Sequence, residues 1–289
     1  MRALGIDIGG TSVKAAQLQD GQVAWTGRSP PFTRPDTAQL VEAIRQAVAA
    51  RAPGPIDAVG VCCPGLLDRT VRTITLSVNV PGLVGVPLDD IVSRALGAGL
   101  PQACILSDAN AVGYDIYVSR RLSGRLLCLT LGTGVGAAVV DHDAGRFLHV
   151  SGESPGHLGQ LDVSLDADAP LGPDGGRGSL EAYIGSAALA ARYGGANVIE
   201  RLGVDEPPIR ALVRAIRIGH AIYRPQHVCL TGGVGIRLAG IAGEIKAAVD
   251  QALTAVARKD WTLLTGQSDF HAACGVARWA AAAASATSP

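Results

Sequence analysis

An apolar run that stops at a glycine-rich turn and doubles back recurs along this chain, and few folds accommodate that pattern twice. In RALGIDIGGTSVKAAQLQDGQVAWTG, three short apolar runs are separated by Gly9-Gly10-Thr11 and Asp20-Gly21, which predicts three consecutive strands. The same order returns at Arg125, where RLLCLTLG, GAAVVDHD and GRFLHV read as strand, turn, strand, turn, strand around Gly132-Thr133-Gly134. A third apolar run, HVCLTGGVG, ends at Gly232-Gly233. β/α segments follow each meander. A helix is expected from about Thr37 to Arg51, with Leu40, Ile44 and Val48 on one face and Thr37 as its N-cap. DAVGVCCPG reads as a buried strand, LDDIVSRAL as a helix, and ACILSDAN as a strand running directly into a helix through Tyr117. In the second half SLEAYIGSAALAARYG and EPPIRALVRAIRIGHAIYR are expected helices, and the chain closes in another. No linker rich in proline or charge separates the halves, so two similar α/β lobes with a cleft between them are predicted.

Composition narrows the function classes. The 289 residues suggest two domains at about 150 residues each. Hydrophobic residues make up 48% and charged residues 17%, against about 25% charged in an average soluble chain, which excludes disorder. The 25 basic and 25 acidic residues cancel and form no basic run, so nucleic acid is not an expected partner. The 37 glycines keep no three-residue period, which excludes collagen. Six cysteines sit mostly inside apolar runs with no C-x-x-C pair, and read as buried thiols rather than disulfides or metal ligands. Arg2 and Asp7 interrupt any signal-peptide core, and Arg278 breaks the alanine-rich tail, so a cytoplasmic globular protein without a membrane partner is expected.

Glycine turns at strand ends expose backbone N–H groups and let phosphate oxygens approach without a Cβ in the way. One alone would pass as a hairpin turn; three, two of them with an adjacent threonine hydroxyl, point to phosphate. No Walker motif occurs. Gly132 to Ala137 fits the dinucleotide fingerprint G-x-G-x-x-A, but AAVVDHD alternates like a strand where that fingerprint needs a helix, so the reading is rejected. Asp7 lies at an apolar strand end, two residues before the first turn. An ionised carboxylate there is costly unless it meets a cation, for which Mg²⁺ or its water shell is the natural candidate. The alternative is a capped structural aspartate.

Taken together these motifs resemble the ROK-type sugar kinases (repressor, open reading frame, kinase) of the actin-like ATPase superfamily, over nearly the whole chain. DIGGTSVK looks like the first phosphate motif, LTLGTGVGAAVV is similar to the second, and LTGGVG resembles the adenosine-side turn. VCCPGLLD and NVPGLVGVPL look like the two sugar-side loops, and SDANAVG resembles the segment carrying the catalytic aspartate. The resemblance implies an α/β, two-lobed actin-like ATPase (ribonuclease H-like) fold with a central cleft. The smaller lobe would span 1–113 and the larger 114–269, with a helix at about 270–289 returning to the first. It also implies ATP- and Mg²⁺-dependent transfer of the γ-phosphoryl group to a sugar hydroxyl, with glucose the leading substrate. Another hexose, an N-acetyl amino sugar, or a catalytically silent sugar sensor are the alternatives. The sensor reading is opposed by the intact Asp108 and glycine turns, and the family's repressors carry an N-terminal DNA-binding module not expected here. A homodimer is expected by the same resemblance, as is closure of the lobes about a hinge near residues 108–116 and Phe270.

Carried over residue by residue, Asp108 matches the catalytic base, Asn79 and Glu181 the residues that hold sugar hydroxyls, and Gly65 a loop glycine that the sugar approaches. Asp7 (metal, through water), Gly9, Gly10, Thr11, Lys14, Gly132, Thr133, Gly134, Gly232 and Gly233 fall on the nucleotide side. Four departures accompany the match. Ser107 stands where the family has Asn, and Leu83 where it has Trp. His157 and Gln160 stand for the family's Glu and His in an ungapped register, or Glu153 and His157 in a gapped one. The three zinc cysteines are replaced by Gly172, Asp174 and Ser179, so no structural zinc is expected. The loop would then be held by Arg177 pairing with Asp174 or Asp168, and Ser179 would cap the helix that carries Glu181.

Overall fold

The computed structural model describes residues 1–49, 54–141, 146–150, 154–164, 166, 168–172, 175–257 and 260–287. The first meander forms as read: β1 (Arg2–Ile8), β2 (Val13–Gln19) and β3 (Gln22–Arg28) pair antiparallel in chain order. Ala3 to Ile8 are all buried, which is why β1 is apolar on both faces. After α1 (Thr37–Ala49), β4 (Ala58–Cys63) joins β1 in parallel. A small hairpin, β5 (Leu66–Asp68) with β6 (Thr73–Leu76), and α2 (Leu88–Leu96) lead to β7 (Cys104–Ser107), which runs parallel to β4 and passes directly into α3 (Asp108–Ser119). The sheet order is β3-β2-β1-β4-β7.

The second half repeats this topology. β8 (Arg125–Leu131), β9 (Val135–Asp141) and the short β10 (Arg146–Phe147) form its meander. Then come α4 (Leu180–Ile184), α5 (Ser186–Tyr193), α6 (Pro207–Tyr223), β11 (His227–Thr231), α7 (Gly232–Gly235), α8 (Ala242–Ala252), β12 (Thr262–Thr265) and α9 (His271–Thr287). Its order, β10-β9-β8-β11-β12, again places two parallel strands beside the first strand of the meander. The chain divides into Met1–Ile116 with Phe270–Pro289, and Tyr117–Asp269.

Each unit has its own core. In the first, Leu4, Ile6, Val13 and Val61 pack with Leu40, Ile44 and Ile91 of α1 and α2. Its other sheet face carries Ala3, Ala16 and Ala58, covered by Ala273 and Ala277 of α9. That helix lies so close that a Cβ at Gly5 or Gly60 would strike the backbone carbonyls of Ala273 or Val276. The second unit buries Leu127, Leu129, Leu212, Ile216, Val228 and Leu230 together. Among the described residues no helix is long and apolar enough to cross a membrane. All six cysteines are free thiols, five of them buried.

Several local expectations change. The N-cap of α1 is Asp36, not Thr37: Asp36 Oδ1 accepts the Gln39 N–H at 2.8 Å, and Gln39 Oε1 accepts the Asp36 N–H at 2.9 Å. This reciprocal pair is a capping box in D-T-A-Q, and Thr37 Oγ1 instead donates to the Gly82 carbonyl at 2.8 Å. The helix expected over SLEAYIGSAALAARYG breaks at Gly185, whose extended ψ of 147° lets the chain turn between α4 and α5. Among the described residues of GRFLHV only Arg146–Phe147 form strand. β12 is a strand that local pattern does not announce, because TLLT is short and lacks turn residues before it.

Candidate functional site

Parallel strands in one sheet end at the same edge, so the loops that leave them are gathered there. In the first unit β1, β4 and β7 end at Ile8, Cys63 and Ser107. Gly9-Gly10-Thr11, Pro64-Gly65 and Asp108 therefore emerge side by side. The first turn is closed by the Gly9 N–H donating to the Ser12 carbonyl at 3.1 Å. Gly10 and Thr11 stand at its tip, Thr11 exposed. Asn79 is exposed beside that turn, since a Cβ on Gly10 would lie 3.3 Å from the Asn79 Cβ. Gly65 has φ +127° and packs against the Leu76 carbonyl at the start of the β5–β6 hairpin, so glycine is required there by the backbone itself.

Asp7 is only 5% exposed. Lys14 Nζ stands 3.7 Å from its Oδ2, and the Cys62 thiol, opposite it in the β1–β4 register, donates to Oδ1 at 3.8 Å. Burial raises the Asp7 carboxyl from its ordinary 3.8 to about 6; Lys14 opposes the rise and the nearby Asp108 charge adds to it. One lysine on the flank leaves this carboxylate short of positive charge, which is the environment a hydrated divalent cation fits. Asp108, the first residue of α3, is half-buried. Burial raises its carboxyl as well, while the Ala109 N–H, 2.7 Å from Oδ1, pulls the other way. The capping of α3 falls to Ser107, whose Oγ accepts the Asn110 N–H at 3.3 Å. The first turn of α3 is thus met by two side chains, Ser107 at the Asn110 N–H and Asp108 at the Ala109 N–H.

In the second unit β8 and β11 are parallel and end at Leu131 and Thr231, so Gly132-Thr133-Gly134 and Gly232-Gly233 adjoin. A Cβ on Gly232, which has φ +78°, would lie 2.5 Å from the Leu131 carbonyl oxygen. The second turn leads into β9, paired antiparallel with β8 over Leu131 to Arg125, so the dinucleotide reading fails on structure as it does on pattern. Glu181, in α4, lies against this turn: its Oε2 accepts the Val135 N–H at 2.8 Å. Ser179 caps α4, its Oγ accepting the Ala182 N–H at 3.2 Å.

The loop before Ser179 is held by backbone pairing: Gly172 N–H to Gly176 O at 2.7 Å, Gly178 N–H to Pro170 O at 2.8 Å, and Val163 N–H to Gly178 O at 2.9 Å. Arg177 Nη1 donates to the Ala169 carbonyl at 2.7 Å, a partner the turn brings within reach. Asp174 and Glu153 lie outside the described residues. His157 and Gln160 are exposed at the ends of a short 3₁₀ turn, Leu158–Gln160. Leu83 is fully buried in the first core, so its departure from the family is a matter of packing. Among the described residues no group of three or more His, Cys, Asp and Glu side chains is placed to hold a metal ion.

Sequence reasoning missed the Cys62 contact to Asp7 and the Glu181 contact to the second turn, because both join residues far apart in the chain. It also missed Asp115, buried in α3 and held by His271 Nδ1 at 2.6 Å and Arg278 Nε at 2.8 Å from α9.

A protein-family model described as the ROK family matches residues 3–283. A glucokinase of Streptomyces coelicolor is 32% identical over 196 residues, which is 66% of this chain and 58% of that protein. An N-acetylmannosamine kinase of Vibrio cholerae is 27% identical over 194 residues, 65% of this chain and 63% of that protein. The matched stretch is less than two thirds of either relative's length. The crystal structure of a ROK family glucokinase from Streptomyces griseus, in complex with glucose and AMPPNP, matches with a TM-score of 0.75 at 21% identity, over 98% of this chain and 100% of that one.

Proposed function

The chain belongs to the ROK family and has its two-lobed actin-like ATPase fold, and from that premise we propose that it transfers the γ-phosphoryl group of ATP to a hydroxyl of a hexose, glucose first among them. The observation that carries the reading is Asp108: a half-buried carboxylate at the carboxyl edge of the first sheet, beside the Asp7 turn, with one oxygen fixed by the Ala109 N–H. Phosphoryl transfer asks a protein for positioning, charge neutralisation and a proton acceptor. The acceptor hydroxyl gives its proton to an Asp108 carboxylate oxygen as its own oxygen bonds to the γ-phosphorus. The bond from that phosphorus to the β–γ bridging oxygen breaks, and ADP leaves with those electrons. Burial raises the proton affinity of Asp108, which suits a base for a hydroxyl. Gly9 to Thr11 and Gly132 to Gly134 would offer backbone N–H groups to phosphate oxygens, with Lys14 adding a cation on the first side. Asp7 would hold Mg²⁺ through its water shell, and that ion would neutralise charge on the β- and γ-phosphates. Asn79 and Glu181 would receive sugar hydroxyls. The Streptomyces relative favours glucose, while the Vibrio relative supports N-acetylmannosamine as a second acceptor at similar coverage.

The test is a coupled ADP-release assay with ATP and Mg²⁺ across glucose, mannose, galactose, N-acetylglucosamine and N-acetylmannosamine. Sugar-dependent ADP release with glucose preferred is the expected result. Preference for an N-acetyl sugar would move the substrate to the second acceptor, and ADP release independent of every sugar would remove the kinase reading.

A further inference from the structure

Glu181 is tied to the second glycine turn more closely than a residue reserved for sugar would need to be. Its Oε2 accepts the Val135 N–H at 2.8 Å. A Cβ placed on Gly134 would fall 2.7 Å from that same oxygen, and the three atoms nearest to it would all belong to the Glu181 carboxylate. The backbone just after α4 adds a second tie, with the Ser186 N–H donating to the Gly132 carbonyl at 2.8 Å. Across the turn itself one bond stands, from the Gly132 N–H to the Gly134 carbonyl at 2.9 Å. The path of residues 132–135 is thus set from outside, by a carboxylate in contact with its last glycine and by the start of α5.

We propose that Glu181 is a positioning residue for the phosphate turn Gly132–Gly134, so that nucleotide affinity depends on it even when no sugar is present. The inference rests on the kinase reading above and deepens it. Oε2 holds the turn, and a sugar hydroxyl would be received at Oε1 of the same group. One carboxylate then serves both ligands, and by thermodynamic reciprocity any effect of one on the affinity of the other is returned by the same factor.

Calorimetric titration with Mg²⁺ and a non-hydrolysable ATP analogue, without sugar, reads this directly. Glu181→Ala should weaken nucleotide binding about tenfold, the weight of one hydrogen bond to a charged acceptor. Glu181→Gln keeps an acceptor oxygen for the Val135 N–H and should stay within about twofold of wild type on the same scale, while its sugar affinity falls. Gly134→Ala should weaken binding alone yet add little in the Glu181→Ala background, because the obstacle to its Cβ is then gone. Should Glu181→Ala fail to fold, Gly134→Ala in the wild-type and Glu181→Gln backgrounds carries the test, with equal loss expected in both. Wild-type affinity in a folded Glu181→Ala, or in Gly134→Ala alone, overturns the proposal while leaving the kinase reading intact. A folded wild-type protein that binds no nucleotide removes both.

Discussion

At the scale of single residues, the molecule holds two carboxylates at one sheet edge and uses their burial differently. Asp108 is expected to be the base, so Asp108→Asn should lower kcat by at least about 10²-fold with a smaller loss of sugar affinity. Near-normal turnover in that variant would overturn the assignment. Asp7 makes a stability prediction. Burial raises its folded-state value to about 6 from 3.8, so the stability this group confers is full below about 3.8 and is lost as pH rises through about 6. At neutral pH its ionised form is therefore a net cost, of about 3 kcal/mol at ~1.4 kcal/mol per pH unit. Asp7→Asn should melt at a higher temperature than wild type at pH 7.5 while losing nucleotide-dependent activity. The gap in melting temperature should narrow between pH 6 and pH 4. A variant less stable than wild type at pH 7.5 would contradict the electrostatic account.

At the scale of elements, short polar caps decide where helices begin and what they present. Asp36 and Gln39 fix the start of α1 reciprocally, and Asp36→Ala should cost about 1 kcal/mol in denaturant unfolding, the usual weight of an N-cap. The cap at Ser179 has a functional consequence because α4 is only five residues long and carries Glu181 in its first turn. Ser179→Ala should raise the KM for sugar several-fold, with a smaller change in kcat, and Ser179→Thr should largely restore it. An unchanged KM in Ser179→Ala would mean that α4 is held in place by its packing alone.

At the scale of the whole molecule, the first unit is closed by the last helix of the chain. Ala273 and Ala277 of α9 cover the sheet face built by Ala3, Ala16 and Ala58, and α9 supplies both partners of the buried Asp115. Removing residues 270–289 exposes that face and strands a buried charge, a combination that costs several kcal/mol. Hydrogen exchange on the shortened chain should show β1 and β4 unprotected while β8 and β11, packed in their own core, retain protection. Full protection of β1 and β4 would show that α9 is dispensable to the first unit.

Much of this architecture is legible in the chain because strand and turn signals are local. Each strand of the two meanders, each of the three glycine turns and the strand-to-helix passage at Asp108 lies within about ten residues, where apolar periodicity and glycine punctuation speak directly. The partnerships decided in three dimensions could not be read this way. Cys62 meets Asp7 only because β4 lies parallel to β1 in one register, and Glu181 meets Val135 because α4 packs back on β9 across 46 residues of chain. Arg177 reaches the Ala169 carbonyl because the loop's own hydrogen bonds bring that carbonyl within range. Local residue type determines which backbone shapes are available; which side chains then share a hydrogen bond depends on packing distances that no stretch of sequence contains.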